Sequence, residues 1–197
     1  MGVPTSTEVR MNDNSQFVES TDLPQKLERH CIATINSTHL FIAGNGQSGE
    51  GRKVYLVHVK GDAFEFSSLP PMINERYSAA CGTIVDVSTK QANAESEPRL
   101  IVAGGPKNVA KTSEIFSFAT GKWEKGPNLP RAFEYGGYVS DGEHSLVLIG
   151  GQDDNGDLRE DIMEYNPQTN QFEFLNGTIE TRRQYFSATG VRTQEEC

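Results

Sequence analysis

The chain has 197 residues, 36% of them hydrophobic and 23% charged, with 19 glycines and a formal net charge of −9. That length suits one well-buried domain or an array of repeats, and the acidity excludes binding through a nucleic-acid backbone or an anionic membrane surface. No apolar run approaches the roughly 18 residues of a membrane span, and the first twenty residues lack the apolar core of a secretory signal, so a cytoplasmic chain is expected.

Residues 1–15 are expected to form a polar N-terminal segment or partial strand. Met1-Gly2 with Ser6 matches a loose myristoylation pattern, which is discounted because Pro4 stiffens it and so short a motif recurs by chance. Phe17 precedes Leu23-Pro24 by the same interval that separates Trp123 from Leu129-Pro130, so the chain opens near the end of a repeat unit. A first stretch of small residues runs Arg29-His30-Cys31-Ile32-Ala33, followed by the apolar run Leu40-Phe41-Ile42-Ala43-Gly44-Asn45. Val57-His58-Val59, the turn Gly61-Asp62, Phe64 and Leu69-Pro70 complete this unit.

The same series returns in Arg76-Tyr77-Ser78-Ala79-Ala80, Leu100-Ile101-Val102-Ala103-Gly104-Gly105, Ile115-Phe116-Ser117-Phe118, Thr120-Gly121, Trp123 and Leu129-Pro130. The polar stretch from Asp86 to Pro98 interrupts it as a long exposed loop. A third copy comprises Arg131 to Gly137, Leu146-Val147-Leu148-Ile149-Gly150-Gly151, Ile162-Met163-Glu164-Tyr165, the turn residues Asn166 to Asn170, and Phe172. Arg183-Gln184-Tyr185-Phe186-Ser187-Ala188 opens a fourth, expected to continue as a strand to Val191, before a tail at 193–197.

Each unit reads as four short strands separated by turns, at a period near fifty residues and without helical periodicity. The double glycines Gly104-Gly105 and Gly150-Gly151, with Gly44 in the first copy, and the aromatic pairs Phe116 with Trp123 and Tyr165 with Phe172 carry a resemblance to kelch repeats. The first copy departs from the pattern, with Asn45 for the second glycine and Phe64 for the tryptophan. The resemblance implies an all-β fold, a kelch-type β-propeller with about three complete four-stranded blades at 28–69, 75–130 and 131–176 within an array spanning 16–192, and partial blades at both ends. Three complete blades are fewer than the family's usual ring. A fragment of a longer protein, a ring completed by two chains, and a short fourth blade made from the two ends are the readings left open.

Glycine admits dihedrals and close approaches that a Cβ blocks, and the aromatics fill the wedges between blades. These motif residues are therefore expected to carry stability. Cys31, Cys81 and Cys197 are expected to be buried free thiols, because their number is odd and their spacing fits no zinc pattern. Asn36-Ser37-Thr38 and Asn176-Gly177-Thr178 match a glycosylation pattern that needs a secretory route.

Asp153, Asn155, Asp157 and Glu164 partly mimic a calcium loop, but Leu158 stands where that loop needs glycine, so a solvated turn is expected. His30, His39, His58 and His144 are scattered without metal-ligand spacing, and no nucleophile motif is present, so neither a metal, a cofactor nor catalysis is expected. Some kelch-like propellers are sugar mutarotases or metal-dependent oxidases, which makes an enzyme of that type the alternative function. The resemblance instead favours a protein-interaction module for a protein or peptide partner, in the manner of substrate adaptors for ubiquitin ligases or of cytoskeletal and signalling scaffolds, with self-association as one way to complete the propeller.

The implied binding face holds the loops after the double glycine and the residues beside the repeated arginine: Gln47, Pro106, Gln152 and Asp153, with His30, Tyr77, Ala132 and Gln184. His30, Tyr77, Gln152, Asp153 and Gln184 are the partner-contact candidates. For His30 and Tyr77, packing between blades is the competing role. Arg29, Arg76, Arg131 and Arg183 are expected either to bond loop carbonyls or to form a positive ring for an acidic peptide.

Overall fold

The computed structural model describes residues 6–10, 17–61, 63–85, 98–140 and 145–190. Asp62 of the first hairpin turn, the insertion at 86–97, His144, Val191 and the tail with Cys197 lie outside the described residues. Fourteen strands and no helix occur among the described residues, and so no helix long and apolar enough to cross a membrane is found there.

Strands β1 (Ser6–Arg10) and β2 (Phe17–Asp22) make a two-stranded antiparallel sheet. Three four-stranded antiparallel sheets follow, each built in chain order. The first contains β3 (Cys31–Thr34), β4 (His39–Ala43), β5 (Val54–Lys60) and β6 (Ala63–Leu69). The second contains β7 (Ala80–Val85), β8 (Pro98–Ala103), β9 (Ser113–Ser117) and β10 (Lys122–Lys125). The third contains β11 (Gly137–Ser140), β12 (Leu146–Ile149), β13 (Asp161–Asn166) and β14 (Gln171–Thr178). The first strands meet, with β7 against both β3 and β11, which gives a β-propeller-like arrangement.

The strand expected from Tyr185 to Val191 does not form among the described residues. The segment instead lies along β11, where Phe186 occupies the space that a side chain on Gly137 would need.

Two apolar seams hold the sheets together. Phe41, Ala43, Val54, Met72, Leu100, Val102, Phe116 and Trp123 fill the first, and the Trp123 indole donates to the Pro70 carbonyl across it at 2.8 Å. Ile101, Ala103, Phe133, Leu146, Leu148, Met163, Tyr165 and Phe172 belong to the second. The aromatic pairs stand directly opposite one another on the third and fourth strands, with centroids 5.4 Å apart in both Phe116–Trp123 and Tyr165–Phe172. In the first sheet Val57 faces Phe66, so Phe66 and not Phe64 holds the tryptophan's place.

Gly44 and Gly104 have φ of 78° and 77°, and a Cβ on either would run into a carbonyl of the next repeat, that of Arg76 or Phe133. The following residues exploit this approach: Asn45 N donates to Arg76 O at 3.1 Å, Gly105 N to Phe133 O at 2.9 Å, and Gly151 N to Arg183 O at 3.0 Å. Asn45 stands in the second glycine's place with its buried amide hydrogen-bonded at both ends. Its Oδ1 accepts from Glu28 N and Gln47 N, and its Nδ2 donates to Lys26 O at 2.8 Å.

These contacts also reset the alignment. Met72, Leu129 and Ile179 each donate a 2.9 Å backbone bond to the residue at the same place in their own sheet, Arg52, Lys111 and Glu160. Leu129 therefore corresponds to Met72 and not to Leu69. Counting four residues on from each, Arg76, Phe133 and Arg183 are equivalent, while Arg29 and Arg131 each lie two residues out of that register.

The cysteine expectation also fails. Cys31 at the start of β3 and Cys81 in β7 form a disulfide, with Cα atoms 5.8 Å apart. They stand fifty residues apart in the chain, and the packing of β3 against β7 brings Cys31 to Cys81, one residue beyond its own equivalent, Ala80. Both are buried, as expected, but neither is a free thiol.

Candidate partner-binding face

The short segments that lead into the inner strands converge on one face. In each, the residue two places before the strand, or before its equivalent in the fourth copy, adopts a left-handed backbone: Arg29 (φ 54°), Ser78 (53°), Tyr135 (59°) and Tyr185 (58°). Non-glycine residues avoid this region, and a relay of backbone bonds holds these four in it. Ser78 N donates to Arg29 O at 2.6 Å, Tyr135 N to Ser78 O at 3.0 Å, and Tyr185 N to Tyr135 O at 2.8 Å.

The relay aims these side chains at one another. The Arg29 guanidinium carbon lies 5.9 Å from the ring centroids of both Tyr77 and Tyr135, within cation–π range. Tyr135 then packs on Tyr185 with centroids 4.5 Å apart, and Tyr185 is 69% exposed. Burial, the neighbouring Glu134 charge and the hydrogen bond with Tyr185 outweigh the Arg29 charge and push the Tyr135 phenol up to about 12.

Of the sequence candidates, Tyr77 is half-buried beneath Arg29. Gln152 is tied to Glu134 by two backbone bonds, and its amide donates to Glu134 Oε2 at 3.3 Å. Gln184 adjoins Tyr185, and its buried Oε1 has no hydrogen-bond partner among the described residues, nor has Ser78 Oγ. His30 is exposed beside Arg29. Asp153 is occupied by its own loop, where Oδ1 accepts from Asn155 N at 2.9 Å and Asp157 N at 3.1 Å, as a solvated turn requires.

Arg29, Glu134, Tyr135 and Tyr185 complete the cluster. Alignment on the repeated arginines put Tyr135 and Tyr185 out of step, whereas counting six residues on from Met72, Leu129 and Ile179 reaches Ser78, Tyr135 and Tyr185 together.

A ring of four arginines is not formed. Arg76 is fully buried and bonds Glu114, Gly104 O and the Thr112 carbonyl and hydroxyl. Arg131 bonds Asp161 and the carbonyls of Ala132 and Gly150. These two are structural, as the loop-carbonyl reading expects, and only Arg29 and Arg183 stay exposed.

A cleft of about 660 Å³ lies between the inner strands, lined by Ile32, Thr34, Tyr138, Ser140, Phe186 and Ser187 among others. Tyr138 reaches from β11 to β3, where its hydroxyl accepts from Ile32 N at 2.9 Å and lies 3.0 Å from Ile32 O. Burial pushes its phenol up. Hydroxyls and apolar groups line this cleft, a surface suited to packing and poor in acid–base groups.

The fold defines a β-propeller-like repeat protein. No family model and no curated protein matches the chain. Among solved structures it is similar to YjhT, with a TM-score of 0.65 and 14% identity over 84% of this chain and 56% of that one. At that identity the likeness concerns the fold alone, and the chain spans little more than half of that structure's length.

Proposed function

We propose that the chain is a kelch-type propeller module that recognises a protein or peptide partner through the face bearing Arg29, Tyr77, Tyr135 and Tyr185. The observation that carries this reading is the exposure of Tyr185, 69%, at the end of a packed tyrosine–arginine cluster. Tyrosine and arginine offer large contact area with hydrogen-bonding ends at low entropic cost, and they dominate interface hot spots. The relay of backbone bonds preorganises them, which lowers the ordering cost of association.

The test compares partner capture by the intact chain and by an Arg29→Ala, Tyr185→Ala double variant under identical conditions. Partners retained by the native chain and lost by the variant support the reading. Equal recovery by both would refute it.

A further inference from the structure

Two triplets match the acceptor pattern for asparagine-linked glycans, Asn36-Ser37-Thr38 and Asn176-Gly177-Thr178, and the fold treats them differently. The first lies in the turn between β3 and β4, at the opposite end of β3 from Arg29, and all three of its residues are exposed. A large group attached there stands away from the face that bears Tyr185.

The turn is held by the two residues that the pattern requires. Thr38 donates to Asn36 Oδ1 through its amide at 3.0 Å and through its hydroxyl at 3.1 Å, and the His39 amide donates to the same oxygen at 2.9 Å. With these donors gathered on Oδ1, the other end of the amide is turned away from them, and Nδ2 makes no hydrogen bond among the described residues. The bonds span two or three residues, so a nascent chain forms them locally, without any pairing of strands. Asn176 is exposed as well, but it lies in β14, where Thr178 stands opposite Asp161. Among the described residues no hydrogen bond joins the Thr178 hydroxyl to Asn176. Local geometry therefore favours Asn36.

The Cys31–Cys81 disulfide, buried between the first and second sheets, is an independent observation on the compartment. Such cross-links persist in oxidising compartments and are rare in the reducing cytosol, so this one points away from the cytoplasmic setting expected from the sequence. The secretory route that supplies the oxidising environment is also the one on which this asparagine pattern is used.

We infer that the chain matures on an oxidising secretory route and carries an N-linked glycan on Asn36 Nδ2. The donor is a lipid-linked oligosaccharyl diphosphate. Transfer forms a bond from Nδ2 to the anomeric carbon of the first sugar, breaks that carbon's bond to the diphosphate oxygen, and releases one Nδ2 proton together with the lipid diphosphate. The product is a bulky, solubilising group on an exposed turn, and Oδ1 keeps its bonds from Thr38 and His39.

The test uses the chain purified from the cells that make it, digested with a peptide N-glycosidase in heavy-oxygen water and mapped by peptide mass spectrometry. The digestion converts a glycosylated asparagine to aspartate and labels it with heavy oxygen. The expected result is a loss of mass on digestion and a labelled aspartate in place of Asn36. In chains made by the same cells, Asn36→Gln and Thr38→Val should each abolish that label, whereas Thr38→Ser and Ser37→Ala should retain it. An unmodified Asn36 in the native chain, a label confined to Asn176, or a label at Asn36 that survives Thr38→Val would each overturn the assignment.

Discussion

Arg76 and Glu114, both completely buried, lie 3.0 Å apart at the heart of the second sheet's entry loop. The carboxylate is fully used, accepting also from Ile73 N at 2.6 Å, Asn74 N at 3.1 Å and Asn74 Nδ2 at 2.9 Å. Desolvation lowers the Arg76 pKa, and the Glu114 charge opposes that effect. Removing one partner strands a buried charge, so Glu114→Ala should cost about 3–5 kcal/mol in chemical denaturation. The double replacement Arg76→Met, Glu114→Leu should cost clearly less than Glu114→Ala alone. Equal losses would mean that the loop geometry, and not charge pairing, matters here.

The first glycine of the pair should be far less replaceable than a turn glycine of similar φ. Gly104→Ala combines a left-handed backbone with a collision against Phe133 O, whereas Gly121, at φ 64°, has nothing within 4 Å of its Cβ position. The expected losses are about 3 kcal/mol for Gly104→Ala and about 1 kcal/mol for Gly121→Ala. Urea midpoints for the two variants check the difference.

The motifs that repeat along the chain were legible because each sheet meets the same packing problem. Glycines that admit a neighbour's carbonyl, and aromatics paired across the third and fourth strands, recur in register. What needed three dimensions was lateral. Cys31 with Cys81, and the tyrosines around Arg29, meet only because separate strands or sheets bring them together. The arginine alignment slipped because Arg29 and Arg131 stand two residues away from the places that match Arg76, and only the backbone bonds of Met72, Leu129 and Ile179 reveal it.

The Cys31–Cys81 disulfide closes a loop of fifty residues, worth about 4 kcal/mol in the chain-entropy view. Thiol titration of the denatured, unreduced chain should find one reactive cysteine, Cys197, of the three in the sequence. Reduction should expose all three and lower the thermal midpoint. Three reactive thiols without reductant would contradict the cross-link.

Tyr135 offers a pH test of the cluster. Its phenol is raised to about 12 in the folded chain, against about 10 when unfolded. Between these values the unfolded chain releases a proton that the folded chain keeps, so this contribution is intact below pH 10 and is lost as pH rises toward 12. Phenolate absorbance should show a late-titrating component that Tyr135→Phe abolishes. If the late component survives the substitution, it belongs to another tyrosine.

The proposed recognition role is tested most directly by site-specific photo-crosslinking. A photoreactive side chain placed at position 185, on the exposed end of the tyrosine–arginine cluster, should yield a discrete adduct with a protein partner. The same group at position 120, in the exposed turn between β9 and β10, should yield none. Adducts at 120 and none at 185 would place the binding surface elsewhere and contradict the proposed role of Arg29, Tyr77, Tyr135 and Tyr185.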